Sequence, residues 1–370
     1  MAFVPGRRQA LVVLPLAAVA GLALLSSQGI PRLAVREAAP TVTSAAPEPL
    51  VLADVGHLAQ TLPRLNSLVV SWHGKVVFEH YSRSARGNRL ANVKSASKSI
   101  ISALVGIAID RKLIPGLETT LDAYFAGELA KDSDVGKRTI TIEDLLTMRS
   151  GLETTSNRNY GAWVRSGNWV RYALRQPLVS EPGTSMEYST GSSHLLSAIL
   201  TKAAKKSTLA FAREVLAKPL GITLAPWPQD PQGIYFGGNE MLLTPMQMLA
   251  FGELYRNRGR ANGLQIVPEA WVDASLTRRT VSRRQAERYY GYGWWSRTLA
   301  GHPVHYAWGY GGQFIFVVPS LDMTIVTTSS TSPGDERRDH RDTIYDLVEQ
   351  VIIPRVEAAS RGGASPNLTS

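Results

Sequence analysis

The 370-residue chain has no cysteine. That excludes disulfides, thiolate nucleophiles and Cys-based zinc or iron–sulfur sites. Three signatures are also missing. Without G-x-S-x-G there is no nucleophile elbow of the α/β-hydrolase kind. Without H-E-x-x-H or a Walker-type loop, neither a zincin nor a P-loop enzyme is expected. The seven histidines, among them His194, His302 and His305, show no metal-ligand spacing. His305 has a somewhat better claim to a role, because a two-residue period puts it on the same strand face as Ala307. Acidic residues are in deficit, 30 Asp and Glu against 40 Lys and Arg, for a net charge of +10. The excess is scattered. Only short pairs such as Arg278–Arg279 and Arg283–Arg284 occur, so a basic surface is expected and nucleic-acid binding is not.

What is present is globular in composition, with 44% hydrophobic and 19% charged residues, enough for a sizeable core. Arg7 and Arg8 precede the apolar run "LVVLPLAAVAGLALL" at 11–25. Residues 1–30 therefore read as a signal peptide or, if uncleaved at the weak Ser27-Gln28-Gly29 site, a signal anchor. The arginine pair is ordinary n-region charge rather than a twin-arginine signal. The protein is expected to be exported, periplasmic or secreted, touching a membrane only through residues 11–25. Residues 31–50 are an Ala/Pro-rich linker. Residues 51–355 are one domain with a helical subdomain at roughly 112–260, and 356–370 form a flexible tail.

Within the domain, "SLVVSWHGKVVFEHYS" at 67–82 alternates around His73-Gly74 and predicts a hairpin. "IISALVGIAI" at 100–109 is apolar all round and predicts a helix buried on every side. Residues 162–219 read as largely helical, broken by Pro177, Pro182 and Gly183, and 244–257 as an amphipathic helix. "YYGYGWWS" at 289–296, "FIFVVP" at 314–319 and "MTIVTTSS" at 323–330 read as strands, and 341–353 as a closing helix. Strands, a helical insertion, then strands and a helix imply an α+β fold. Its antiparallel sheet is built from both chain ends and flanked by helices.

Three stretches carry chemistry. In "NVKSASKSII" at 92–101, Ser95 and Lys98 share a helix face. Burial lowers a lysine pKa, so Lys98 is placed to take the Ser95 proton. The competing reading is Ser97 capping the helix beside a Lys98 whose stem snorkels. In "EPGTSMEYSTGSSH" at 181–194, Tyr188 is either a proton relay or a core tyrosine. In "AWGYGGQF" at 307–314, the glycines either bring a backbone N–H to an oxyanion or make a tight hairpin.

These stretches in order, together with "TIEDLLTMRSGLE", "LLTPMQMLAFGELY" and "GYGWW", resemble the class C-type serine β-lactamase-related hydrolases. Among them the likeness is greatest to the 6-aminohexanoate-dimer hydrolase group, over roughly residues 55–353. The resemblance implies that Ser95 is acylated, Lys98 is its base and Tyr188 the second proton carrier. It also implies that the N–H groups of Ser95 and Tyr310 form the oxyanion hole, and that no cofactor or metal is needed. Thr190, Ala307, Trp308 and Gly309 fall on substrate-binding positions. Two positions depart from the pattern. Tyr188-Ser189-Thr190 stands where Tyr-x-Asn is usual, and Ala307-Trp308-Gly309 where Lys-Thr-Gly or His-x-Gly is usual. Both count against β-lactam turnover. A small amide or ester is the expected substrate, beside walls drawn from Tyr160, Trp163, Trp169, Trp295 or Trp308. The alternatives are a D-Ala-D-Ala carboxypeptidase, an esterase or a weak β-lactamase on the same machinery, or a non-catalytic penicillin-binding-like module.

Overall fold

The computed structural model describes residues 52–82, 87–283 and 285–361. The expected signal segment, the linker and residues 362–370 lie outside them.

One eight-stranded antiparallel sheet organises the domain. Its strands are β1 (Leu65–Trp72), β2 (Lys75–Tyr81), β3 (Thr280–Ser282), β4 (Gln285–Tyr290), β5 (Trp295–Leu299), β6 (His302–Gly309), β7 (Gln313–Val318) and β8 (Met323–Ser329). The spatial order is β2-β1-β8-β7-β6-β5-β4-β3. The N-terminal hairpin thus joins the C-terminal strands through β1 and β8, as the α+β reading expects. From Lys94 to Leu276 the chain leaves this sheet and folds mainly as helices, a wider span than the expected 112–260.

Both faces of the sheet are covered, so β7 is apolar from Phe314 to Val318 rather than alternating with polar residues. Phe314, Phe316 and Val318 of β7 face one core, with α1 (Ala53–Thr61) and the C-terminal helices; Ile315 and Val317 face the other. The C-terminal layer starts with Glu336–Asp346 and continues as helix to Arg361. Val356 there is fully buried, so the expected tail starts later than residue 356.

The opposite core is built on α2 (Ser97–Asp110), whose residues from Ser97 to Ala108 are all buried. Each buried Ile or Leu there contributes about 1.5–3 kcal/mol before entropy is charged. Beside α2 lie α3 (Thr190–Ala204) and α4 (Pro245–Arg256). At Gly252 of α4 a Cβ would fall 2.6 Å from Thr324 Cγ2, so that helix lies against the sheet too closely for any side chain.

Residues 162–219 are helical with the expected interruption: Arg175–Ser189 form a turn-rich segment between the short helix Trp169–Leu174 and α3. Pro177, Pro182 and Gly183 break the helix there. Residues 289–296 are not one strand. β4 ends at Tyr290 and β5 begins at Trp295, because Gly293 adopts φ +77° and packs so closely that a Cβ there would fall 2.8 Å from the Lys98 carbonyl oxygen.

Candidate active site

Ser95 sits in the middle of a single 3-10 turn, Lys94–Ala96, that runs directly into α2. The turn is entered through Lys94 at φ +50°, a left-handed conformation costing a lysine on the order of 1 kcal/mol. Asn92 and Glu240 hold it. The Lys94 N–H donates to Asn92 Oδ1 at 3.0 Å and its ammonium to Glu240 Oε1 at 2.7 Å. Ser97 does not cap α2. Its hydroxyl donates back to the Lys94 carbonyl at 2.8 Å, which tightens the turn carrying Ser95.

Lys98 does not snorkel. It is 3% exposed, with Nζ 3.1 Å from Ser95 Oγ, 3.2 Å from Thr190 Oγ1 and 2.7 Å from the Gly238 carbonyl oxygen. These partners are hydroxyls and a carbonyl; Glu240 is occupied with Lys94. Burial lowers the lysine to about 7, so a large share is neutral near neutral pH. Only glycine fits at 238, where φ is +91° and a Cβ would meet Lys98 Cγ at 2.6 Å.

Tyr188 arrives on the loop ahead of α3. The Thr154 hydroxyl donates to its carbonyl at 2.7 Å. The first free N–H groups of α3 are taken by hydroxyls from a different segment, Thr190 N–H by Ser156 at 2.9 Å and Gly191 N–H by Thr155 at 2.8 Å. The helix start, and Tyr188 with it, is therefore fixed against residues 154–156. The Tyr188 ring stacks on Trp295, with centroids 5.6 Å apart, and lies 5.1 Å from Lys98 Nζ. Burial pushes its hydroxyl up to about 12, partly offset by a hydrogen bond to Ser95. At neutral pH this phenol keeps its proton.

Ser95 and Tyr310, whose N–H groups are the expected oxyanion donors, lie on either side of the junction between the 3-10 turn and the end of β6. A Cβ at Gly309 would fall 2.1 Å from the Val93 carbonyl oxygen, so the strand end rests on the backbone that leads to Ser95. Among the described residues, the hydrogen bonds of this junction use the N–H groups of Lys94, Ala96 and Gly312.

Ser95, Tyr188, Thr190 and Tyr310 line one cavity of about 450 Å³, with Tyr160 and Asn239. Asn239 Nδ2 donates to the Tyr160 hydroxyl at 2.9 Å. A second cavity of about 470 Å³ adjoins it across Asn157 and Tyr188, and its walls include Trp295 and Trp308. Ala307 and Gly309, expected at the substrate, are buried and line neither cavity. Thr190 reaches the cavity with its hydroxyl already on Lys98. Trp163 and Trp169 are core residues packed on His194, not cavity walls. His305 lies in a separate cleft beside Tyr255 and Pro319.

Sequence reasoning missed the pair behind the lysine. His194 Nε2 is 3.0 Å from Asp230 Oδ2, both side chains fully buried. Asp230 Oδ1 also accepts the N–H groups of Gln232 and Ile234, each at 2.8 Å. His194 Nδ1 accepts the Gly237 N–H at 3.3 Å. This pair fixes the loop that ends in the Gly238 carbonyl. Only spatial proximity links the two residues, so no sequence spacing announces them.

A large antiparallel sheet is thus covered by helices on both faces, with a serine, a lysine and a tyrosine gathered near the end of its strand β6. A family model described as β-lactamase matches residues 66–350. The chain belongs to the β-lactamase family, whose members with this fold are serine hydrolases acting on amides and esters. A comparison with curated protein sequences returned no match. Similar solved structures include a 6-aminohexanoate-dimer hydrolase homologue from Bacillus anthracis, with TM-score 0.65 and 20% identity, covering 82% of each chain. A class C β-lactamase from Rhodobacter sphaeroides has TM-score 0.61 and 16% identity, covering 81% of this chain and 97% of the other. EstCE1, a hydrolase with promiscuous acyltransferase activity, has TM-score 0.62 and 18% identity, covering 79% and 97%.

Proposed function

We propose that the protein is an exported hydrolase that cleaves a small amide or ester through an acyl-enzyme on Ser95. The observation that carries this reading is the 3.1 Å approach of Ser95 Oγ to a Lys98 held near pKa 7 by burial. Neutral Lys98 takes the hydroxyl proton as Ser95 Oγ attacks the carbonyl carbon. The N–H groups of Ser95 and Tyr310 receive the developing oxyanion. Collapse breaks the bond to the leaving group, which takes the Tyr188 proton; the Lys98 ammonium then refills Tyr188. In the second half, water attacks the ester carbonyl. Its proton passes to the Tyr188–Lys98 pair and one returns to Ser95. Tyr188 enters as a donor, because a phenol near 12 is a poor base at neutral pH.

Substrate choice rests on what surrounds this machinery. Thr190 spends its hydroxyl on Lys98, and Ala307 offers neither a cation nor access to the cavity. Linear amides and short-chain esters fit that site better than β-lactams. Export rests on Arg7, Arg8 and the apolar run at 11–25.

The test is covalent. A fluorophosphonate should add its mass to the peptide containing Ser95 and to no peptide of Ser95→Ala. Ser95→Ala should also lose at least ~10³-fold in kcat/KM on the best substrate from a panel of linear amides, p-nitrophenyl esters, D-Ala-D-Ala peptides and nitrocefin. Labelling of another residue overturns the nucleophile, and nitrocefin as the best substrate overturns the substrate class.

A further inference from the structure

Behind Lys98 lies a buried titratable pair that the acyl-transfer reading does not use. His194, on α3, and Asp230 have no exposed side-chain surface, and His194 Nε2 lies 3.0 Å from Asp230 Oδ2. The other sides of the imidazole meet the rings of Trp163, Trp169 and Phe236. A carboxylate has no proton to give, so Nε2 carries the imidazole proton and donates it to Asp230. Nδ1 then keeps its lone pair, and it accepts the Gly237 N–H at 3.3 Å. A Cβ at Gly237 would fall 2.2 Å from the Ser193 carbonyl oxygen, and one at Gly238 2.4 Å from Ser193 Oγ. Residues 237 and 238 therefore lie against α3 with no room for side chains. The next polar group along that backbone is the Gly238 carbonyl, 2.7 Å from Lys98 Nζ.

We propose that His194 is a positioning residue for the base: Nδ1, kept free of its proton by Asp230, holds the Gly237–Gly238 backbone so that the Gly238 carbonyl aims the Lys98 lone pair at Ser95. The inference rests on the acyl-enzyme reading for the role of Lys98. A neutral lysine has two N–H groups and one lone pair, and Lys98 has three oxygen neighbours. A hydroxyl can face either a proton or a lone pair, whereas a carbonyl oxygen faces a proton alone. The carbonyl therefore takes one N–H. Thr190 Oγ1 lies 3.0 Å from Ser156 Oγ, so it can send its own proton there and accept the second N–H. The lone pair is left for the Ser95 hydroxyl. Without the carbonyl, an N–H is free to turn towards Ser95 and the base faces the wrong way. The same carbonyl accepts from the ammonium formed when Lys98 takes the Ser95 proton. Burial lowers Lys98 to about 7, and this acceptor favours the charged form against it.

Two amides separate the two ring nitrogens. In His194→Asn the side-chain oxygen falls near the place of Nδ1, so the Gly237 acceptor stays and the Asp230 contact goes. In His194→Gln the amide nitrogen falls near the place of Nε2, so the Asp230 contact stays and the Gly237 acceptor goes. Asp230 itself is kept in both. Rates are taken per site labelled to completion by fluorophosphonate, so partial misfolding cancels. On a linear amide, above the acid limb, His194→Gln should lose about tenfold or more in kcat/KM. Its acid limb should move to lower pH by about one unit, as an acceptor of the ammonium is lost. His194→Asn should stay within about threefold of the wild type with its limb unmoved. A merely structural pair gives the reverse order, since the Asp230 contact is then the one that must be kept. That reversal, equal losses in both variants, or an unmoved limb in His194→Gln overturns the proposal. The comparison is repeated without chemistry in Ser95→Ala, following the Lys98 titration by NMR of carbon-13-labelled lysine. Adding His194→Gln should lower the Lys98 pKa and adding His194→Asn should not; a common shift, or none, overturns the proposal. If Ser95→Ala still turns over the amide, the acyl-enzyme reading fails separately, and this titration still decides on His194.

Discussion

The two cavities on either side of Tyr188 each contain a buried cation with no carboxylate against it, and they treat that cation in opposite ways. Lys98 has three oxygen neighbours, and burial brings it to about 7, where it can be neutral. Arg288 lies near three aromatic rings, Trp308, Trp295 and Tyr345, at 5.2, 5.5 and 5.9 Å. A third buried cation shows the ordinary solution: Lys137, 4% exposed, pairs with Asp132 at 2.8 Å. Burial alone therefore predicts no function. What separates the three is whether a carboxylate has been brought along, and whether the group can shed its proton instead. The lysine that can shed it touches the proposed nucleophile. The arginine that cannot forms the wall of a space large enough for a ligand.

The comparison breaks most directly at Lys98→Arg, which puts into the first cavity a cation like that of the second. Activity should fall by roughly 10²–10⁴-fold, because guanidinium cannot accept the Ser95 proton. The wild-type kcat/KM should rise with pH through an apparent pKa near 7, as Lys98 loses its proton, and the variant should lack that limb. Retained activity in Lys98→Arg would show that charge, not basicity, is what the site needs.

Lys98→Met sharpens the same contrast through stability. The folded lysine lies near 7 against a usual 10.5, so between those values the unfolded chain binds more protons than the folded one. Wild-type stability should therefore climb as pH rises from 7 towards 10, at up to ~1.4 kcal/mol per pH unit. Lys98→Met should be inactive yet more stable than the wild type at pH 7, by a few kcal/mol, with the gap closing towards pH 10. Denaturant unfolding at both pH values measures it. A gap independent of pH would mean that Lys98 is already charged in the folded protein.

The closeness of Ser95 and Lys98 was legible in the sequence from a local pattern, whereas Tyr188 was singled out as a proton carrier only through the family resemblance. A three-residue spacing at a helix start brings two side chains together whatever the rest does. The run in β7 was legible because a strand covered on both faces is apolar at successive positions, as Phe314 to Val318 are. The Gly238 carbonyl was not, because it lies 140 residues from Lys98 and acts through backbone, which has no residue type. Trp163 and Trp295 look alike in sequence, yet one is core and the other cavity wall, since burial by protein and burial by substrate select the same rings. Arg288 lies in a polar stretch just ahead of the expected strand at 289–296, and only the packing of Trp295, Trp308 and Tyr345 against it sets it apart from its exposed neighbours.

The smallest of these effects is expected at the wall between the cavities. Tyr188→Phe keeps the ring that stacks on Trp295 and removes only the hydroxyl that reaches Ser95. An amine must be protonated as it leaves, whereas p-nitrophenolate departs unaided. If Tyr188 supplies that proton, kcat/KM for a linear amide should fall about 10–100-fold, and for a p-nitrophenyl ester by clearly less. The split between the two substrates is the informative quantity, since a tyrosine that merely orients Ser95 slows both equally. An equal loss would transfer the leaving-group proton to Lys98, which by then holds the one it took from Ser95. Tyr188 would then be a partition between two cavities rather than a participant in the chemistry of either.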